Sequence, residues 1–300
     1  MPNQSRPLTA ALWMLGAIAG FISMAVAGRA VAPVHDTFEI MVYRSAVGLL
    51  IVLAAALAAG QRAALRPRRI PLHFLRNVFH FAGQNLWFHA LTLIPLAQLF
   101  AVEFSYPIMV ALAAPLLLGE RFTRQRLVSV ALGFAGVLIA AQPWAAGGLS
   151  FGIGIALLAA VGFAGSALIT KRMTRVAPMV EILFWLTVFQ LAFGLILAGA
   201  DGHIAAPTAA SLPWLLLIGV AGIGAHFCLT RALSLAPASV VMPFEFLRLP
   251  LIGIIGMVYY AEPLQFAVFA GGAIIFAATW MNVRTERRAL SLAARQRGAA

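Results

Sequence analysis

Arg44, His80, Gln84, Asn85, Glu103, Tyr106, His226, Glu245 and Arg248 stand inside long apolar runs, and together with Phe88 they are the side chains best suited to hold a polar solute. An ionisable group in hydrocarbon costs about 2.5–3.5 kcal/mol on insertion scales, so each is a functional candidate by default. A pocket of this composition offers an arginine for a carboxylate and a glutamate for an amine. Trp87, Phe104, Phe227, Phe244 and Phe246 add flat apolar surface. A zwitterion of amino-acid type fits that set. The same residues have structural uses: Glu245 and Arg248 are three apart and can pair along one helix, as can Arg44 with Glu103 across helices. Gln84, Asn85 and Asn77 suit interhelical hydrogen bonds equally well.

Helical spacing orders these residues. Asn77, His80, Gln84 and Phe88 follow steps of three, four and four and share a face, flanked by Asn85 and His89. Pro107 and Pro115 on one segment and Pro243 and Pro250 on another predict interrupted helices, the kind that marks a binding region. Glu120 and Glu262 fall at helix ends, where capping or packing is expected. There is no G-x-x-x-x-G-K-[ST] loop, no His-Glu-x-x-His and no cysteine pair, Cys228 being alone. No cofactor and no metal are expected. Energy would come from a solute or ion gradient, with Glu103 or Glu245 placed to carry a proton.

The elements that position these groups are membrane spans. Of 300 residues, 62% are hydrophobic and 10% charged, and the mean hydropathy is +0.95; soluble domains carry about 25% charged residues. The pattern predicts an all-α membrane protein with ten transmembrane helices. They fall near Thr9–Gly28, Phe38–Ala59, Leu72–Ile94, Leu96–Leu118, Arg126–Gln142, Phe151–Thr170, Val180–Gly199, Pro213–Leu235, Ala238–Tyr260 and Leu264–Val283. Arg62, Arg66, Arg68, Arg69 and Arg76, then Arg121, Arg124 and Arg126, then Lys171, Arg172 and Arg175, and the arginines of the tail all fall on one side of that bundle. Both termini are therefore expected in the cytoplasm, with the chain in a bacterial inner membrane in contact with lipid. The net charge of +12 is thereby a topology signal and not a nucleic-acid surface.

The chain also repeats itself at a shift of 142 residues. Glu39 and Glu181, Glu103 and Glu245, and Glu120 and Glu262 are mates at that shift, three acidic pairs among nine acidic residues. Phe104 and Phe246, Pro95 and Pro237, and Gly20 and Gly162 keep the same register. This divides the chain into residues 1–142 and 143–284, each a five-helix repeat, and a basic cytoplasmic tail at 285–300. An odd number of helices per copy makes the second enter from the opposite face. Two inverted repeats are an architecture of secondary transporters.

Five-plus-five helices, Glu39 at the start of the second helix, the stretch Pro95…Pro107…Gly119-Glu120 and its counterpart Pro237…Ala261-Glu262 resemble the drug/metabolite transporter superfamily, in its ten-helix EamA-like branch. The resemblance implies a secondary transporter and not an enzyme, with a central cavity lined by the third, fourth, eighth and ninth helices. The expected substrate is an amino acid, aromatic or other, or a related small metabolite, moved outward by alternating access. Phe38-Glu39-Ile40-Met41-Val42-Tyr43-Arg44 and Leu75-Arg76-Asn77 look somewhat like the branches that take up S-adenosylmethionine or riboflavin, the alternative substrates. An intramembrane enzyme acting on lipid is a second alternative.

Overall fold

The computed structural model describes residues 7–66, 68–118, 124–142, 150–173, 176–200, 202–235, 244 and 247–298. Among them every regular element is helical. In chain order these are α1 (Pro7–Val31), α2 (Thr37–Ala58), a 3-10 turn (Arg62–Leu65), α3 (Ile70–Leu93), α4 (Leu96–Glu103), α5 (Tyr106–Leu118) and α6 (Arg124–Ala141), then α7 (Phe151–Met173), α8 (Met179–Ala198), α9 (Leu212–Leu235), α10 (Arg248–Tyr260) and α11 (Phe266–Gly298).

Local chemistry sets several helix starts. Asp36 accepts the Glu39 backbone N–H at 2.8 Å, and the Glu39 carboxylate reaches back to the Asp36 N–H at 3.2 Å. This reciprocal capping box holds the first turn of α2. Pro95 and Pro178 immediately precede α4 and α8. Five helices, α1, α2, α7, α8 and α9, are both long and apolar enough to cross a membrane. α3 has 24 residues, enough for about 36 Å at 1.5 Å per residue, but its arginine, histidines and amides hold its apolarity below theirs.

The fourth span is interrupted at Pro107, as expected: α4 ends at Glu103 and α5 begins at Tyr106. Pro107 has no N–H to offer the Glu103 carbonyl, and its ring crowds the preceding turn. Pro250 stands in the first turn of α10, where no intrahelical acceptor awaits its missing N–H, and most of the ninth span before Leu247 lies outside the described residues. The last helix runs past Val283 to Gly298, so the basic tail continues α11. Glu245, Glu120, Pro243 and Phe246 lie outside the described residues.

Two compact units emerge, and each draws helices from both halves of the chain. The first contains residues Met1–Leu15, Pro95–Ile153 and Leu229–Ala300; the second contains Gly16–Ile94 and Gly154–Cys228. In the first, α6 lies along α11, while α4 packs on α10 and α6. In the second, α2 lies along α8, and α3 packs on both.

The helix boundaries keep the register found in the sequence. α3 and α9 run from Ile70 to Leu93 and from Leu212 to Leu235, and α5 and α10 from Tyr106 to Leu118 and from Arg248 to Tyr260; each pair of ends is 142 apart. One contact of the second unit is built twice with the copies exchanged. A Cβ added to Gly20 on α1 would lie 2.9 Å from the Ala225 Cβ on α9, and one added to Gly162 on α7 would lie 2.7 Å from the Gly83 Cα on α3. Gly20 and Gly162 are mates, as are Gly83 and Ala225.

Candidate functional site

The second unit holds most of the expected residues. Arg44 is the eighth residue of α2, about 10 Å along the helix, and is only 5% exposed. Its guanidinium lies over Gly222 of α9, where an added Cβ would come within 3.1 Å of Arg44 Nε. That nitrogen is buried without a hydrogen-bond partner. Along α3, Arg76, His80, Gln84 and Phe88 follow at steps of four, and all four are buried. Arg76 Nε donates to Thr170 Oγ1 at 3.0 Å and its Nη1 to Asn77 Oδ1 at 3.3 Å. Arg44 and Arg76 are near enough to repel one another, and both charges, with the His226 ring, act on His80.

His80 Nδ1 is 3.5 Å from Ser166 Oγ, and its ring stands 6.2 Å from that of His226. His80 Nε2 and Gln84 Nε2 are buried and unpartnered. Asn85 Oδ1 accepts from Thr37 Oγ1 at 3.1 Å, joining α3 to the start of α2, while its Nδ2 is buried and unpartnered among the described residues. Phe88 packs where an added Cβ on Gly28 would be only 2.8 Å from its ring. His89 is exposed.

Asn77 belongs to a neighbouring set. It donates to the His73 carbonyl at 2.8 Å, and Gln190 Nε2 donates to the Asn77 carbonyl at 3.1 Å. The mates of Asn77 and Gln190 are Gly219 and Gly48. The two copies thus share a helix scaffold but differ in what they place on it: amides in one, close-packed glycines in the other.

The first unit holds Glu103, Tyr106 and Arg248. Arg248 Nη2 lies 3.6 Å from Glu103 Oε1, tying the end of α4 to the start of α10. Its guanidinium also sits over the Phe100 and Phe104 rings, 5.3 and 5.0 Å from their centroids. The arginine and glutamate each expected to meet a ligand therefore meet one another. Tyr106 opens α5 directly after the break.

Three further carboxylates are committed. Glu39 accepts the Ala205 N–H and lies 3.2 Å from His35 Nδ1, while His35 Nε2 is 2.9 Å from Ser211 Oγ. Its mate Glu181 is 3.1 Å from His73 Nε2. Glu262 Oε2 accepts the Leu96 N–H at 2.8 Å and caps α4. Sequence reasoning missed Arg76, Ser166, Thr170 and Gln190 as parts of the buried polar set. Arg76 was grouped with the charges flanking the third span, although its step of four to His80 carried the signal.

Known proteins resemble this chain over most of its length. A riboflavin transporter from Rhizobium johnstonii is 33% identical over 226 residues, covering 75% of this chain and 74% of its own. An S-adenosylmethionine uptake transporter from Rickettsia bellii is 26% identical over 255 residues, covering 85% and 86%. A pseudopaline exporter from Pseudomonas aeruginosa is 27% identical over 249 residues, covering 83% and 87%. A solved crystal structure at 20% identity shares the fold, with a TM-score of 0.66 over 93% of this chain and 98% of that one. The profile of the EamA-like transporter family matches twice, at residues 8–142 and 150–284. With both copies of the repeat accounted for, the chain belongs to the EamA-like transporter family of the drug/metabolite transporter superfamily.

Proposed function

We propose that this chain is a secondary carrier that takes up a small heteroaromatic metabolite, of riboflavin or S-adenosylmethionine type, across the inner membrane. The observation that carries the reading is the buried polar set of the second unit. Arg44, His80 and Gln84 keep nitrogens out of water with no partner among the described residues, and a buried donor left unmade costs about 1–3 kcal/mol. A scaffold gains nothing from that arrangement, whereas a binding site recovers the cost when its solute arrives. The names of the relatives from Rhizobium johnstonii and Rickettsia bellii support the substrate class. The recurrence of helix ends at 142 supports two repeats, which we read as inverted, with both termini cytoplasmic and the solute reached from either face in turn.

A second reading, export of amino acids, is favoured by the same Arg44, which suits an amino-acid carboxylate, and by the exporter among the relatives. Proteoliposomes carrying the full chain separate the two. Saturable flux of labelled riboflavin or S-adenosylmethionine is expected, and its dependence on an imposed pH gradient reads proton coupling. Flux of amino acids alone would replace the first reading with the second. No saturable flux of any of these solutes would remove both.

A further inference from the structure

We infer that Arg44 and Arg76 form an oxyanion subsite in the second unit that takes a carboxylate of the transported molecule, an inference that rests on the carrier reading above. Arg44 makes no hydrogen bond and no ion pair among the described residues, and its Nε is sealed from water. Arg76, equally buried, spends its bonds on the neutral Thr170 and Asn77. The two guanidinium groups thus lie buried in the second unit, near enough to feel one another's charge, with no carboxylate of the described residues at ion-pair distance. The acids that could have served are engaged elsewhere: Glu39 by His35 and the Ala205 N–H, Glu181 by His73. Arg248 shows the contrast, since its charge is met by Glu103. Buried charges in proteins are paired or they bind something.

The internal repeat supplies an independent control on a structural role. At the same positions of the other copy stand Leu186 and Ile218, 2% and 0% exposed. The scaffold packs with aliphatic side chains there, so the arginines are not needed to build it. One and two turns beyond Arg76, His80 and Gln84 add further unspent nitrogens. The set as a whole asks for a ligand rich in acceptors and negative at one end. An amino-acid carboxylate meets that demand, whereas a neutral flavin brings acceptors but no negative charge to the two guanidinium groups.

The test uses the full chain in detergent and in proteoliposomes, with S-adenosylmethionine, its carboxyl methyl ester, riboflavin and riboflavin phosphate as competitors of labelled solute. The free carboxylate is expected to bind about 10- to 100-fold tighter than its ester, as charge-assisted hydrogen bonds imply. Arg44→Gln should abolish that difference, and Arg44→Lys should keep part of it, because it retains charge without the planar fork. Ligand-free Arg44→Met should melt no lower than the unmodified chain, since it removes an unpaired buried charge. Acid and ester binding alike, or an Arg44→Met that melts clearly lower, would overturn the subsite. Preference for riboflavin phosphate over the carboxylate would assign the subsite to phosphate and overturn the carboxylate proposal. Saturable flux that ignores the blocked carboxylate sinks the subsite alone, whereas absence of flux for every solute sinks the carrier reading.

Discussion

Gly162→Ala is expected to destabilise the protein even though alanine is the better helix former. The added methyl would lie 2.7 Å from Gly83 Cα, 2.8 Å from Gly83 N and 2.8 Å from the Phe79 carbonyl oxygen. All three are backbone atoms, so α7 and α3 must separate before the methyl fits. Exchanging glycine for alanine inside a helix gains about 1 kcal/mol, while overfilling a packed interface costs about 1–3 kcal/mol. The unyielding backbone contact puts Gly162→Ala at the high end, for a net loss of about 1–2 kcal/mol. Gly224→Ala is the control: it is also mid-helix, and nothing lies within 4 Å of its added Cβ. That variant should gain up to about 1 kcal/mol. At roughly 2–4 °C per kcal/mol, the two should differ in Tm by roughly 5–10 °C. Thermal unfolding of both in the same detergent, followed by circular dichroism, reads the difference. Equal melting temperatures would refute the close approach of α3 and α7.

Two further outcomes follow from side-chain partnerships. Glu103→Gln or Arg248→Met alone should each cost about 3–5 kcal/mol, the usual result of stranding one member of a buried ion pair, whereas the double variant should recover most of the loss; additive losses in chemical denaturation would mean that the two are not coupled. Glu262→Ala removes the acceptor for the Leu96 N–H and should cost about 1 kcal/mol, as lost N-caps do, while Glu262→Gln retains an acceptor and should cost less; indistinguishable midpoints would argue against the cap.

Five spans were legible in the sequence because their apolar runs are long, and the repeat because three acidic pairs share one shift. Pro107 announced the break in the fourth span, although where the helix resumes depends on tertiary packing around Ser105. Side-chain partners were the hardest part. Arg248 and Glu103 are far apart in sequence, and a nearer glutamate three residues before Arg248 competed for the pairing. Arg76 resembled one more flanking charge beside Arg68 and Arg69; only the arrival of Thr170 from the other copy identifies it as a buried residue. Charge alone allows Arg44 to pair with Glu103, but Glu103 meets Arg248.

The division of the chain into units also constrains biogenesis. A ribosome that has released residues through 142 has delivered one full copy of the repeat but completed neither unit. The second unit needs residues up to Cys228, and the first waits for the stretch from Leu229 onward. Nascent spans must therefore sit in the bilayer as unfinished parts, with Arg44 and Arg76 still lacking α7 and α9 around them. A truncated product ending between the copies has no folded portion to keep, and quality-control proteases should clear it whole.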